Sequence, residues 1–266
     1  MEQPLKILFV INDLYTRGNG LAASARRTIA LLREHGHHVR VLSALPRDGD
    51  DCGVGMPEYV LPPLRIPLVD PLIASQGYAF ARAKRREIER ALAWADVVHL
   101  EEPFYLQAVV ARYARRRGVP VVATYHIHPE NLTASVCLDR ALPLNRAILE
   151  LWKRAIFNRS DLVQCPSRSV YERASKLCVR APLLLLSNGV PLGEEMSGGG
   201  HEVGESSVVR ILVVGRYSRE KDQATILRAL RHSAHARSIQ LTFAGRGPTE
   251  HSLRASARRL LRRGVI

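Results

Sequence analysis

Short apolar runs alternate with helix-length amphipathic stretches from Leu5 to Leu186, and this alternation restricts the fold more than any other feature of the chain. Leu5 to Ile11 is the first run. Leu21 to His35 then sets Leu21, Ala25, Ile29 and Leu32 on one helical face and stops at Gly36, and His38 to Ala44 is the next run. A continuous apolar run of this length reads as a strand buried on both faces, and a helix between two such strands makes a βα unit. Further strands are expected at Asp96 to Leu100, Pro120 to Tyr125, Asp161 to Cys165 and Pro182 to Leu186, with helices between most of them. The predicted class is α/β, Rossmann-like, with a parallel sheet covered on both sides.

The periodicity stops between Pro191 and Ser207, where Gly193 to Gly200 reads as a flexible connector. A second βα series follows: a strand over Val208 to Val214, a helix from about Lys221 to His232, a strand over Ile239 to Ala244 and a helix over Glu250 to Arg263 closed by Gly264. The expected organisation is a first Rossmann-like domain over 1–190, a glycine-rich linker over 191–207 and the beginning of a second domain over 208–266. About 60 residues are too few to bury both faces of a doubly wound sheet, so the second domain is expected to be incomplete.

With 46% hydrophobic and 24% charged residues, the 266-residue chain has the composition of a soluble globular protein. No apolar run approaches the roughly 18 residues of a membrane span, and Met1 to Ile11 is too short for a signal peptide, so a cytoplasmic protein is expected. Cys52, Cys137, Cys165 and Cys178 lie far apart without a Cys-x-x-Cys pair, which suggests neither a zinc knuckle nor a disulfide framework. The net charge of +14, with clusters such as Lys84-Arg85-Arg86 and Arg115-Arg116-Arg117, fits an anionic membrane surface. A codon-driven preference for arginine explains it equally, since 34 of the 39 basic residues are arginine. Aromatic content of 6%, with no aromatic-rich strand to stack bases, argues against nucleic acid.

The chemistry concentrates in Gly215-Arg216-Tyr217-Ser218-Arg219-Glu220-Lys221, straight after the apolar run of the second series. A strand that ends in glycine and opens onto a helix offers backbone N–H groups and a positive dipole end. Arg216 can fork onto phosphate oxygens while Lys221, expected in the first helical turn, adds a point charge. A diphosphate fits such a pair with no metal. Gly245 and Gly247, in Gly245-Arg246-Gly247-Pro248, repeat the strand-to-helix turn; a plain turn with Pro248 starting a helix is the duller reading. Gly18 and Gly20, with Ala23, could also be scored as a dinucleotide fingerprint, but the loop from Asn12 is long and no acid ends the second strand at Leu42 or Ser43. His126 closes the strand Pro120 to Tyr125, at the edge where α/β sheets bind ligands. His126 and His128 are a thin metal signal. Asp48-Gly49-Asp50 sits in a polar Pro, Gly and Asp cluster and reads as a solvated turn. Glu130 and Asn131 are candidate hydroxyl contacts, or simply the start of a helix. Glu101 and Glu102 suit a solvated loop, with Glu102 a further candidate.

Taken together, Asp96-Val-Val-His-Leu-Glu-Glu-Pro-Phe104, Gly118 to Thr133, Cys165-Pro-Ser167, Ser187-Asn-Gly-Val190, Gly215 to Lys221 and Gly245 to Pro248 resemble, in order and spacing, the family-4 retaining glycosyltransferases of the GT-B fold. The similarity runs from Leu5 to about Leu260 and extends to the subgroup with diacylglycerol glucosyltransferases and phosphatidylinositol mannosyltransferases. The resemblance implies a hexosyltransferase using a UDP- or GDP-hexose and a lipid-linked or polyol acceptor, with the first domain on the acceptor side and the protein peripheral on the inner membrane face. It implies that His126 lies near the reacting sugar, that Gly18, Gly20, Gly215, Gly245 and Gly247 face the donor, and that Arg216 and Lys221 stabilise the leaving diphosphate. The family's Glu-x7-Glu motif, downstream of the second glycine turn, has no counterpart here; Glu194 and Glu202 show the spacing but stand in the linker, upstream of the phosphate site. Two other readings stay open: a non-catalytic remnant binding a membrane surface or partner, and an NAD-dependent oxidoreductase.

Overall fold

A computed structural model describes residues 3–45, 49–65, 79–134, 138–189 and 208–262. The linker, with Glu194 and Glu202, lies outside these residues, as do Asp48 and Cys137. The chain divides into two compact units, Met1–Val190 and Pro191–Ile266.

In the first unit seven strands form one sheet: β1 (Lys6–Val10), β2 (His38–Ala44), β3 (Tyr59–Leu61), β6 (Val97–Leu100), β7 (Val121–Thr124), β8 (Leu162–Cys165) and β9 (Leu183–Leu185). Their spatial order is β3-β2-β1-β6-β7-β8-β9, and every neighbouring pair is parallel. The intervening β4 (Pro63–Leu64) and β5 (Phe80–Ala81) make a separate antiparallel pair. Helices α1 (Gly20–Glu34), α2 (Arg85–Trp94), α3 (Tyr105–Arg117), α4 (Pro129–Thr133), α5 (Leu142–Ala155) and α6 (Arg168–Lys176) connect the strands.

β1 shows why its sequence is apolar throughout. Ile7 and Phe9 join Ala25 and Ile29 of α1 in one core, while Leu8 and Val10 join Ile88 and Ala91 of α2 and Val110 of α3 in the other. Each such side chain taken from water contributes about 1.5–3 kcal/mol. The chain order reverses direction across the sheet between β1 and β6, and the crevice at the carboxyl ends of those two strands is where open α/β sheets bind ligands. The short β3 and the β4–β5 pair were not foreseen: each is only two or three residues long, too short for a periodicity to register.

In the second unit β10 (Val209–Val214) pairs in parallel with β11 (Ile239–Ala244). Helices α7 (Gln223–His232) and α8 (Glu250–Leu261) accompany them, and Tyr217, Leu227, Leu230, Leu241, Leu253 and Ala257 form the core. On β10, Val209, Leu212 and Val214 are exposed despite the apolar run, because the described residues supply two strands and cover little of that face.

One expectation is corrected here. Lys221 does not stand in the first turn of α7. It closes a 3-10 turn, Arg219–Lys221, and Asp222 at φ +42° breaks the backbone before α7 starts at Gln223.

Candidate functional site

The carboxyl edge of the first sheet gathers Asn12 after β1, Glu101 and Glu102 after β6, and His126 after β7. The solvated loop expected for the two glutamates is wrong: Glu101 is 3% exposed and Glu102 5%. One Glu102 carboxylate oxygen accepts the Asn12 backbone N–H (2.7 Å), the Asn12 carboxamide (2.7 Å) and the Gln107 carboxamide (2.9 Å). The Asn12 side-chain oxygen Oδ1 in turn accepts from Ala81 N. Glu102 therefore ties β1 to α3 under the crevice. Burial pushes its carboxyl up to about 7, against the pull of those donors.

Glu101 faces two imidazoles. Its Oε2 lies 2.9 Å from His126 Nε2, and its Oε1 lies 3.3 Å from His99 Nε2. Burial alone would raise the Glu101 carboxyl, but His99 and His126 hold it below the usual carboxylate range. Burial pushes His99 down, against the pull of Glu101. His99 Nε2 is also 2.8 Å from Thr124 Oγ1, and its ring packs on Phe9 at 4.6 Å between centroids. On the other side of His126, Nδ1 lies 3.5 Å from Asn188 Nδ2.

Neither Asn12, His99, Gln107 nor Asn188 was singled out from sequence. His99 had a signal: with Glu101 it makes an i, i+2 polar pair on one face of a strand otherwise apolar, and Asn12 is a polar residue directly behind a fully apolar run.

The stretch after His126 behaves as a helix start. Asn131 Oδ1 accepts from His128 N at 2.9 Å, closing a capping box with Pro129 in the first turn. Glu130 pairs with Arg173 of α6 at 2.7 Å; burial works against its charge, but the Arg173 hydrogen bond holds its carboxyl low. His128 Nδ1 lies 3.3 Å from both Tyr125 Oη and Arg173 Nη1, and burial, then Arg173, lowers its pKa. His128 is thus committed to protein partners. Among the described residues no three His, Cys, Asp or Glu side chains group to hold a metal ion.

A Cβ added to Gly18 or Gly20 would meet nothing within 4 Å, so packing does not demand glycine and the loop backbone stands open. Asn19 between them caps α1, its Oδ1 accepting from Leu21 N (3.0 Å) and Ala22 N (3.4 Å). Those two helix amides are therefore occupied in this structure. Arg17, just ahead, pairs with Asp50, whose other oxygen accepts from Cys52 N.

In the second unit the two glycine turns interlock at the carboxyl edge of β10 and β11. Gly215 N donates to Ala244 O, Tyr217 N to Arg246 O, and Thr249 N to Tyr217 O. A Cβ on Gly245 would sit 2.0 Å from Gly215 O, and one on Gly247 would sit 2.2 Å from Tyr217 O, so close backbone approach requires both glycines. Gln223 at the start of α7 donates from Nε2 to Arg216 O at 2.8 Å. Arg216 is half-buried on this knot, and Lys221 is exposed.

Comparison with known proteins follows the same lines. Residues 18–194 match the model of Glycosyltransferase Family 4. The fold resembles that of a lipopolysaccharide outer core galactosyltransferase, WaaB, in its apo form, with TM-score 0.60 and 14% identity over 98% of this chain and 67% of the other. It also resembles the catalytic domain of starch synthase IV from Arabidopsis thaliana bound to ADP and acarbose, with TM-score 0.50 and 11% identity over 99% of this chain and 73% of the other. No curated protein matches the sequence. The chain spans about two thirds of the length of the galactosyltransferase structure. Among the described residues no helix is long and apolar enough to cross a membrane. With a parallel α/β architecture of the GT-B kind and more than half of its residues inside the family model, the chain belongs to glycosyltransferase family 4.

Proposed function

We propose that the protein transfers a hexose from a UDP- or GDP-sugar to a hydroxyl of a lipid-linked or polyol acceptor, with retention at the anomeric carbon. The observation that carries this reading is the knot of glycine turns at the carboxyl edge of β10 and β11, which fixes the backbone of Tyr217 against Arg246 and that of Arg216 against Gln223. Arg216 and Lys221 there neutralise charge as it grows on the departing diphosphate, an interaction stronger in the transition state than in the ground state. Gly215, Gly245 and Gly247 bring bare backbone to the nucleotide, and Gly18 and Gly20 offer an open loop to the diphosphate. His126 stands by the reacting sugar, and Glu130 and Asn131 edge the acceptor mouth. The acceptor hydroxyl gives its proton to the leaving phosphate on the same face, and no metal is required. The basic surface suits a peripheral position on the inner, anionic membrane face.

The test is incubation of the purified chain with radiolabelled UDP-glucose, UDP-galactose or GDP-mannose, in EDTA, with anionic vesicles carrying diacylglycerol or phosphatidylinositol. Release of nucleoside diphosphate with label entering the lipid is expected for one donor. No release from any donor, with or without vesicles, contradicts the proposal.

A further inference from the structure

The carboxyl edge of the first sheet holds a directional chain of hydrogen-bonded polar groups that the proposed chemistry leaves unexplained. Gln164 of β8 donates from Nε2 to Leu186 O at 3.1 Å, which fixes its Oε1 as the end that accepts from Thr124 Oγ1 at 3.4 Å. Thr124 has thereby used its hydroxyl hydrogen, so at 2.8 Å it accepts from His99, and the His99 proton sits on Nε2. That same N–H leans on Glu101 Oε1 at 3.3 Å. The second oxygen, Oε2, faces His126 Nε2 at 2.9 Å. The side chains of Glu101 and His126 are only 4% and 9% exposed, so water cannot replace this contact. A buried carboxylate accepts and does not donate, so the His126 proton must also lie on Nε2.

We infer that Glu101 is a positioning residue: it holds His126 in the Nε2–H tautomer, with Nδ1 left to accept from the Asn188 carboxamide, so that the ring stands in one orientation at the carboxyl edge of the sheet. The inference rests on the proposed function for the effect on turnover, and on geometry alone for the tautomer. His99, locked from behind by Thr124 and packed at a tilt on Phe9, keeps the carboxylate from rotating away.

The experiment uses protein labelled with 15N-histidine and long-range 1H–15N correlation spectra, with the His126 signal assigned from its loss in His126→Gln. Wild type is expected to show the His126 hydrogen on Nε2. Glu101→Gln keeps the shape but offers one amide donor in place of an acceptor, so one of the two imidazoles must invert; His126 is expected to move to Nδ1–H or to a mixture of tautomers. Turnover of the active donor should fall about tenfold or more, and Glu101→Asp should restore both tautomer and rate in part. A wild-type His126 protonated at Nδ1, or a tautomer unchanged in Glu101→Gln, overturns the inference. Because the spectra need no donor, the tautomer result stands whether or not UDP-glucose or GDP-mannose is turned over: an inert protein with the expected tautomer counts against the proposed function and not against the role of Glu101.

Discussion

Alanine at Arg216 is expected to lower donor turnover by about 10²- to 10³-fold, the cost of deleting one preorganised group that meets developing negative charge. The loss should fall on kcat more than on KM, since the guanidinium is proposed to bind the leaving diphosphate more tightly than the ground-state sugar ester. The backbone around it should survive. Gln223 holds the Arg216 carbonyl rather than its side chain, and Tyr217 N and Thr249 N keep their partners whatever stands at 216. Arg216→Lys keeps one charge but not the bidentate fork, and an intermediate rate is expected. Steady-state kinetics of the three proteins, with circular dichroism to show an intact fold, make the check; equal rates for wild type and Arg216→Ala would remove Arg216 from the reaction.

Glu102→Gln should flatten the dependence of stability on pH between about 4.5 and 7. Burial raises the Glu102 carboxyl from 4.5 to about 7, so across that window the folded protein holds a proton that the unfolded chain has released. The unfolded state then binds fewer protons, and stability falls as pH rises from 4.5 to about 7 and levels off above it. At 1.36 kcal/mol per pH unit the displacement corresponds to roughly 3 kcal/mol. Glutamine supplies an oxygen for Asn12 N, Asn12 Nδ2 and Gln107 Nε2 without a buried charge. The variant should therefore gain on wild type as pH rises, and the gap should be greatest near pH 8. Urea unfolding of both proteins at pH 5.5 and pH 8 reads the difference directly, and a gap that does not change with pH would show that Glu102 ionises as freely in the folded protein as in the unfolded chain.

The strands that position the site were legible because a buried parallel strand must be apolar on both faces. β2 and β11 fall where the apolar runs predicted them, and β1, β6, β7 and β8 lie within theirs. His126 was placed at the carboxyl edge by the same logic. What the sequence hid is partnership across the sheet. Glu101 and Glu102 follow each other in a segment that looks like a polar loop, yet one faces two imidazoles and the other an asparagine some 90 positions away. Pairing of that kind depends on which strands become neighbours, and neither periodicity nor spacing encodes it. The 3-10 turn at Lys221 was hidden for a different reason: Asp222 takes a left-handed conformation that a non-glycine residue seldom adopts.

Titration calorimetry of UDP into the purified chain in the presence of EDTA, for wild type and for the Arg216→Ala/Lys221→Ala double variant, bears most directly on the central claim that a cation pair after β10 grips a diphosphate unaided by metal. Wild type should bind UDP in EDTA, and the double variant should lose most of that affinity. Binding that appears only when magnesium is added, or that is equal in the two proteins, would contradict it.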